Sequence, residues 1–179
     1  HLVEIIRTPD TDPEAACFAA GLCDKVMGKG LVYANDKPNF IANRIGIYGI
    51  LHTIKVMTEG GYSITEIDKI TGPAIGRPKS ATFRTADLAG LDTTMLVAGN
   101  VYDNAPDDEC RSTFVVPDFF REMVERKWLG DKTGQGFYKK IQSEKGREIL
   151  ALNYKTMEYE PQPKVSFPAL ETAKTINDL

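Results

Sequence analysis

The chain has 179 residues, 42% of them hydrophobic, enough to bury a substantial core in one domain with appendages. Its 22 basic and 25 acidic residues nearly cancel to a net charge of -3, and no cluster of lysine and arginine stands apart, which removes the electrostatic basis for sequence-independent nucleic-acid binding. Three cysteines, Cys17, Cys23 and Cys110, without Cys-x-x-Cys spacing or a neighbouring histidine, exclude a closed disulfide framework and a zinc site and fit a reducing cytoplasm; no metal is expected.

The chain opens on an apolar run, Leu2, Val3, Ile5 and Ile6, that fits a strand buried on both faces and interrupted by one carboxylate, Glu4. The run has no basic leader or cleavage site, and no stretch of the chain reaches the ~18 apolar residues of a membrane span. A start at His1 rather than methionine is expected of a piece of something longer. Asp12 and Pro13 read as an N-cap and first helical position. The run Ala16, Phe18, Ala19, Leu22 and Val26 then gives a helix of about four turns ending at Gly28 or Gly30. Residues 31–34 form a short extended piece. Pro38 opens a helix expected over 40–59 and stopped by Gly60 and Gly61; with apolar residues on more than one face, it should be central and covered on most sides. Its interior glycines, Gly46 and Gly49, each cost about 1 kcal/mol relative to alanine, reasonable where a backbone of another helix or subunit packs closely.

Ser63 and Glu66 have capping-box spacing and start a short helix through Ile67 and Ile70 that ends at Gly72 and Pro73. Helices are expected next over 82–89, ended by Gly90, and over 93–102. Pro117 and Asp118 begin an amphipathic helix through Phe119, Phe120, Met123, Val124 and Trp128. Past Gly130 a glycine-rich turn precedes two candidate strands, 148–152 and 156–159. The fold expected is therefore mostly α, with a short N-terminal strand and a small β-hairpin near the C-terminus. Its parts are a strand at 1–8, a helical body at 9–140, a hairpin extension at 141–160 and a linker or docking arm at 161–179.

Few residues stand out as chemistry. Glu4 is either an edge-strand carboxylate facing water or an acid that accepts the ring N–H of a catalytic imidazole, fixing its tautomer. Neither His1 nor His52 is suited to be that imidazole, so a base would come from outside this chain. The segment K-P-N-F-I-A-N-R at 37–44 places an uncharged amide, Asn43, in the opening turn of the long helix. If buried, such an amide must find partners or cost about 1–3 kcal/mol, whether it ties the helix to a loop or meets a ligand. Gly134 and Gly136 could serve any tight turn; they do not make a phosphate loop, and no G-x-G-x-x-G occurs.

Five segments in order carry a resemblance: L-V-E-I-I-R-T from Leu2, D-K-P-N-F-I-A-N-R from Asp36, G-G-Y-S-I-T-E-I-D from Gly60, D-L-A-G-L-D from Asp87 and K-T-G-Q-G-F-Y from Lys132. Together they resemble the C-terminal half of the NAD-dependent L-3-hydroxyacyl-CoA dehydrogenases of fatty-acid β-oxidation, over nearly the whole chain to about Lys140. The resemblance implies a helical C-terminal domain of that type, with residues 1–8 belonging to an NAD-binding domain that precedes it. It puts Glu4 at the acid that orients the family's catalytic histidine and Asn43 at the asparagine of the histidine and substrate-oxygen network. Lys132 falls at a lysine near the dinucleotide, where a solvated turn lysine is the alternative.

The family's histidine and glycine-rich NAD fingerprint lie upstream of the L-V-E-I strand, so NAD would be bound mainly by the absent domain, and these residues alone should be inactive. The family's G-x-P-M-G-P-F-E is here G-R-P-K-S-A-T-F, where Arg77, Pro78 and Lys79 are substrate-binding candidates and Arg77, Lys79 and Arg84 could meet CoA phosphates. The resemblance further implies an acyl-CoA substrate, a homodimer, and closeness to large bacterial polypeptides that join the dehydrogenase to an enoyl-CoA hydratase. Two alternatives stand beside it: a helical dimerisation or interaction module with structural Glu4 and Asn43, and the C-terminal domain of a small hydroxy-acid dehydrogenase.

Overall fold

A computed structural model describes residues 1–143 and 146–173. The first strand, β1 (Leu2–Arg7), pairs in parallel with β2 (Gly30–Asn35), placing Glu4 opposite Val32. A parallel pair needs a crossover. It is supplied by α1 (Pro13–Gly21), which continues as a wider π turn over Leu22–Val26 and stops at Gly28, where φ is +61°. Asp12 caps α1 by accepting the Glu14 N–H at 2.8 Å, as the Asp-Pro pair leads one to expect. The apolar residues of this unit do not enclose a core of their own. Phe18 is 74% and Val26 75% exposed, Ala20 alone in α1 is buried, and Leu2 is 61% exposed while Val3, Ile5 and Ile6 are half-buried. The strand expected to be buried on both faces is thus only partly covered, because a two-stranded sheet with one crossover helix leaves area on both sides open.

The helical body begins with α2 (Ala42–Gly60), which buries Ile47, Leu51, Ile54 and Met57 along one stripe. Ile45 and Val56 are exposed, so α2 is covered on one face rather than on most sides. A Cβ added at Gly46 or Gly49 would meet nothing within 4 Å, so among the described residues no backbone makes the close approach those glycines permit. Gly61, at φ +70°, closes the helix by donating to the Met57 carbonyl. In α3 (Ile64–Ile70) the capping box forms as the spacing indicates, Ser63 N–H donating to Glu66 at 2.7 Å. The remaining helices of the body are α4 (Phe83–Ala89), α5 (Leu91–Asn104) and α6 (Asp118–Glu125), and their buried faces meet α2 around Phe83, Leu91, Val101, Phe120 and Met123.

At the C-terminal side the expected hairpin is a three-stranded antiparallel sheet of β3 (Tyr138–Ser143), β4 (Gly146–Asn153) and β5 (Glu158–Pro161). The strand missing from the sequence reading, β3, begins with the last tyrosine of K-T-G-Q-G-F-Y, and its Lys139, Lys140 and Gln142 hide the apolar alternation that marks a strand. In the arm, α7 (Pro168–Ala173) is a short helix, and the arm's last residues, 174–179, lie outside the described residues.

What joins the sheet to the helices is Asp87 of α4, whose carboxylate is buried. One oxygen accepts the Phe137 N–H at 2.8 Å and the other the Tyr138 N–H at 2.9 Å. Two glycines of the adjoining turn make room for Asp87: a Cβ on Gly136 would lie 2.1 Å from the Asp87 Oδ1, and one on Gly130 2.2 Å from the Asp87 carbonyl oxygen. The Tyr138 hydroxyl reaches across to Asp68 of α3 at 2.9 Å, and Asp68 in turn accepts the backbone N–H groups of Thr82, Phe83 and Arg84 at the start of α4. Burial pushes Asp68 above the usual carboxylate range. It pushes Asp87 up to about 7, against the lowering effect of the two amide donors and of Arg84, 4.0 Å away.

Two outcomes follow. Gly136→Ala should destabilise the fold by about 3 kcal/mol, at the upper end for overpacking because the obstacle is a buried carboxylate rather than a mobile side-chain tip; urea unfolding measures it. Asp87 binds its proton more tightly folded than unfolded, so its stabilising contribution is complete below the ordinary value of 3.8 and is lost as pH rises through about 7. The urea midpoint should therefore fall more steeply across that window in the parent than in Asp87→Asn, which does not titrate.

Candidate functional site

The mouth of α2 lacks a cap of its own, since the residue at its N-cap position is Ile41. Free N–H groups and the positive end of the helix dipole make this an attractive place for an anion. Glu4 fills it from 37 residues away: its two oxygens accept the N–H of Ile41 at 3.0 Å and of Ala42 at 2.8 Å. A carboxylate offers about four lone-pair positions, so two acceptor positions remain for another donor. Asn43 follows Ala42 directly, in the same turn. The fold thus brings Glu4 and Asn43 to one helix mouth. Asn43 is exposed rather than buried, and among the described residues its carboxamide has no hydrogen-bond partner.

The turn entering α2 has an unusual backbone. Asn39 and Phe40 both take positive φ, +61° and +52°, and the Asn39 carboxamide donates to the Val97 carbonyl of α5 at 2.7 Å and accepts from Asn100 at 2.9 Å. Asn39 escaped the sequence reading; the available signal was an asparagine directly after proline, one of the few residues that tolerate the left-handed region. On the other side, Arg44 forms an ion pair with the nearly buried Asp108 and ties the first turn of α2 to the loop after α5. His52 is exposed and stacks on Tyr48 with ring centroids 5.5 Å apart; neither it nor His1 is bonded to Glu4.

The other candidates lie apart from this mouth in bonding terms. Lys132 holds both oxygens of Asp92, at 2.5 and 2.6 Å, and keeps that carboxyl below its usual range. The motifs D-L-A-G-L-D and K-T-G-Q-G-F-Y therefore join each other twice, through Asp87 to Phe137 and Tyr138 and through Asp92 to Lys132. Arg77, Pro78 and Lys79 are exposed on the turn between α3 and α4, and among the described residues neither cation has a side-chain partner. Arg84, considered with them, instead pairs with Asp131 at 3.1 Å. Among the described residues no three His, Cys, Asp or Glu side chains are grouped to hold a metal ion, and no helix is long and apolar enough to cross a membrane.

A family model for the C-terminal domain of 3-hydroxyacyl-CoA dehydrogenase matches residues 40–140, from the strained turn to β3. The chain belongs to this family. A Bacillus subtilis protein named "Probable 3-hydroxyacyl-CoA dehydrogenase" is 52% identical over 97% of the chain, which spans 21% of that protein. One of the same name from Deinococcus radiodurans is 43% identical over 94% of the chain, which spans 48% of it. Among solved structures, Mycobacterium tuberculosis FadB2 superposes with a TM-score of 0.69 at 30% identity, covering 77% of this chain and 47% of that one. The (S)-3-hydroxybutyryl-CoA dehydrogenase PaaH1 of Ralstonia eutropha superposes with a TM-score of 0.64 at 32% identity, covering 75% of this chain and 46% of that one. The chain thus spans about half the length of these relatives, or less.

Both members of the Lys132 and Asp92 pair are over two-fifths exposed. A double-mutant cycle with Lys132→Ala and Asp92→Ala should give a coupling of less than about 1 kcal/mol that shrinks further in about 1 M salt.

Proposed function

We propose that the chain is the C-terminal part of an NAD-dependent L-3-hydroxyacyl-CoA dehydrogenase of fatty-acid β-oxidation, which oxidises 3-hydroxyacyl-CoA to 3-ketoacyl-CoA. The observation that carries this reading is the binding of Glu4 to the two amides that precede Asn43 at the α2 mouth, within a chain of this family. Glu4, already held by two backbone amides, has acceptor capacity left for the N–H of an incoming imidazole. It would orient that ring and stabilise its protonated form as the substrate hydroxyl gives up its proton. Asn43, exposed and unpartnered, would donate to the substrate oxygen.

The cofactor, when bound, accepts the hydride from C3. No glycine-rich turn lies between β1 and α1 to cradle a pyrophosphate, so the dinucleotide and the histidine are assigned to a preceding NAD-binding domain of the same polypeptide. This reading assigns residues 1–35, rather than 1–8 alone, to that domain, supported by the pairing of β1 with β2 and by the family match beginning at residue 40. Lys132 would reach a dinucleotide by releasing Asp92, whereas Arg77 and Lys79, beside Pro78, are free to meet CoA phosphates. This reading places the enzyme in the cytoplasm, leaves the isolated chain inactive, and makes the helical domain the contact of a homodimer. Exposed Ile45, beside the open faces of Gly46 and Gly49, supports that contact and equally favours a helical interaction module without catalysis.

In the intact polypeptide, Glu4→Gln and Asn43→Ala should each lower turnover of 3-hydroxybutyryl-CoA with NAD by about tenfold or more. Unchanged rates in both variants would leave the interaction module as the better account.

A further inference from the structure

We propose that Asn39 is a positioning residue that clamps the left-handed turn before α2 onto α5 and so holds the Ile41 and Ala42 amides where Glu4 can bind them. The inference rests on the reading of Glu4 as the orienting acid. Two consecutive non-glycine residues, Asn39 and Phe40, have positive φ. The left-handed region is unfavourable for an L-residue because its Cβ crowds the following carbonyl oxygen. A bulky residue such as Phe40 stays there only when its surroundings impose it.

The Asn39 side chain supplies that imposition from one side. Its Nδ2 donates to the Val97 carbonyl oxygen, its Oδ1 accepts from Asn100, and the Asn100 Oδ1 accepts from Asn104, giving a chain of carboxamides along α5. From the other side Glu4 takes the two amides that follow Phe40. Residues 39–42 are therefore stretched between α5 and β1, and the direction of the Ile41 and Ala42 N–H bonds is set by the backbone angles at Asn39 and Phe40. Without the clamp the turn can relax toward negative φ, which rotates those N–H groups away from the carboxylate. Asn39 touches neither substrate nor cofactor in this scheme; it acts through Glu4.

Asn39→Gly tests this, because glycine adopts the left-handed backbone at no steric cost while losing the carboxamide, and Asn100→Ala weakens the same clamp without adding backbone freedom. In the intact polypeptide, amide hydrogen exchange at Ile41 and Ala42 should quicken about tenfold or more, while exchange in the α2 interior stays as in the parent. In the intact polypeptide, kcat should fall about tenfold with KM for acyl-CoA changed less than about twofold, and Asn39→Gly added to Glu4→Gln should cost little more than Glu4→Gln alone. Asn100→Ala, which leaves the bond to Val97 in place, should give a smaller effect of the same kind and serves if Asn39→Gly does not fold. Unchanged exchange at Ile41 and Ala42, or full activity of Asn39→Gly where Glu4→Gln is impaired, overturns the role of Asn39. Full activity of Glu4→Gln itself overturns the catalytic reading instead, so the two failures are told apart.

Discussion

A carboxylate sealed from water and two peptide N–H groups that would otherwise be unpaired meet where α4, the glycine turn and β3 converge. Each meets the other's need: Asp87 could not be buried without donors, and the amides of Phe137 and Tyr138 could not enter the core without an acceptor. The same residues set what surrounds them. Gly130 and Gly136 leave the space that Asp87 occupies, the Tyr138 hydroxyl reaches Asp68, and Asp68 gathers the free amides of α4. Removing one partner from such a network strands the others, so the cost of breaking it exceeds that of any one bond.

A second carboxylate uses the same physics at the mouth of α2. Glu4 spans the join between the βαβ unit and α2 by neutralising the uncapped helix start, and it does so with acceptor capacity to spare. The two junctions share α5. Its first turn holds Lys132 through Asp92, and its middle holds the entrance of α2 through Val97 and Asn100. A helix of 14 residues thus links the glycine turn to the helix mouth, the kind of support a site needs if its groups are to stay in register.

Much of the helical order was legible because caps and stops are local. Asp12 with Pro13, Ser63 with Glu66, and Gly61 and Gly90 act within one turn of chain, and the elements they bound appear where the spacing places them. Burial was less legible. Phe18, Val26 and Ile45 look like core residues by periodicity, yet periodicity records only that a face is apolar, not whether anything within the chain covers it. Strand β3 was hidden for the converse reason: its lysines, Lys139 over the Tyr159 ring and Lys140 on Asp131, take positions where alternation would put apolar residues.

By itself the sequence determined the helical class, most element starts, the family and the candidate pair Glu4 and Asn43, because each rests on a short pattern or an ordered set of motifs. Only the tertiary structure decided who pairs with whom. Lys132 goes to Asp92, 40 residues away, Asp87 to amides 50 and 51 residues away, and Glu4 to a helix mouth reached through a parallel strand crossover. Such partners are selected by how packed elements cross and by the need of every buried or helix-terminal polar group for a complement, and no local periodicity encodes either.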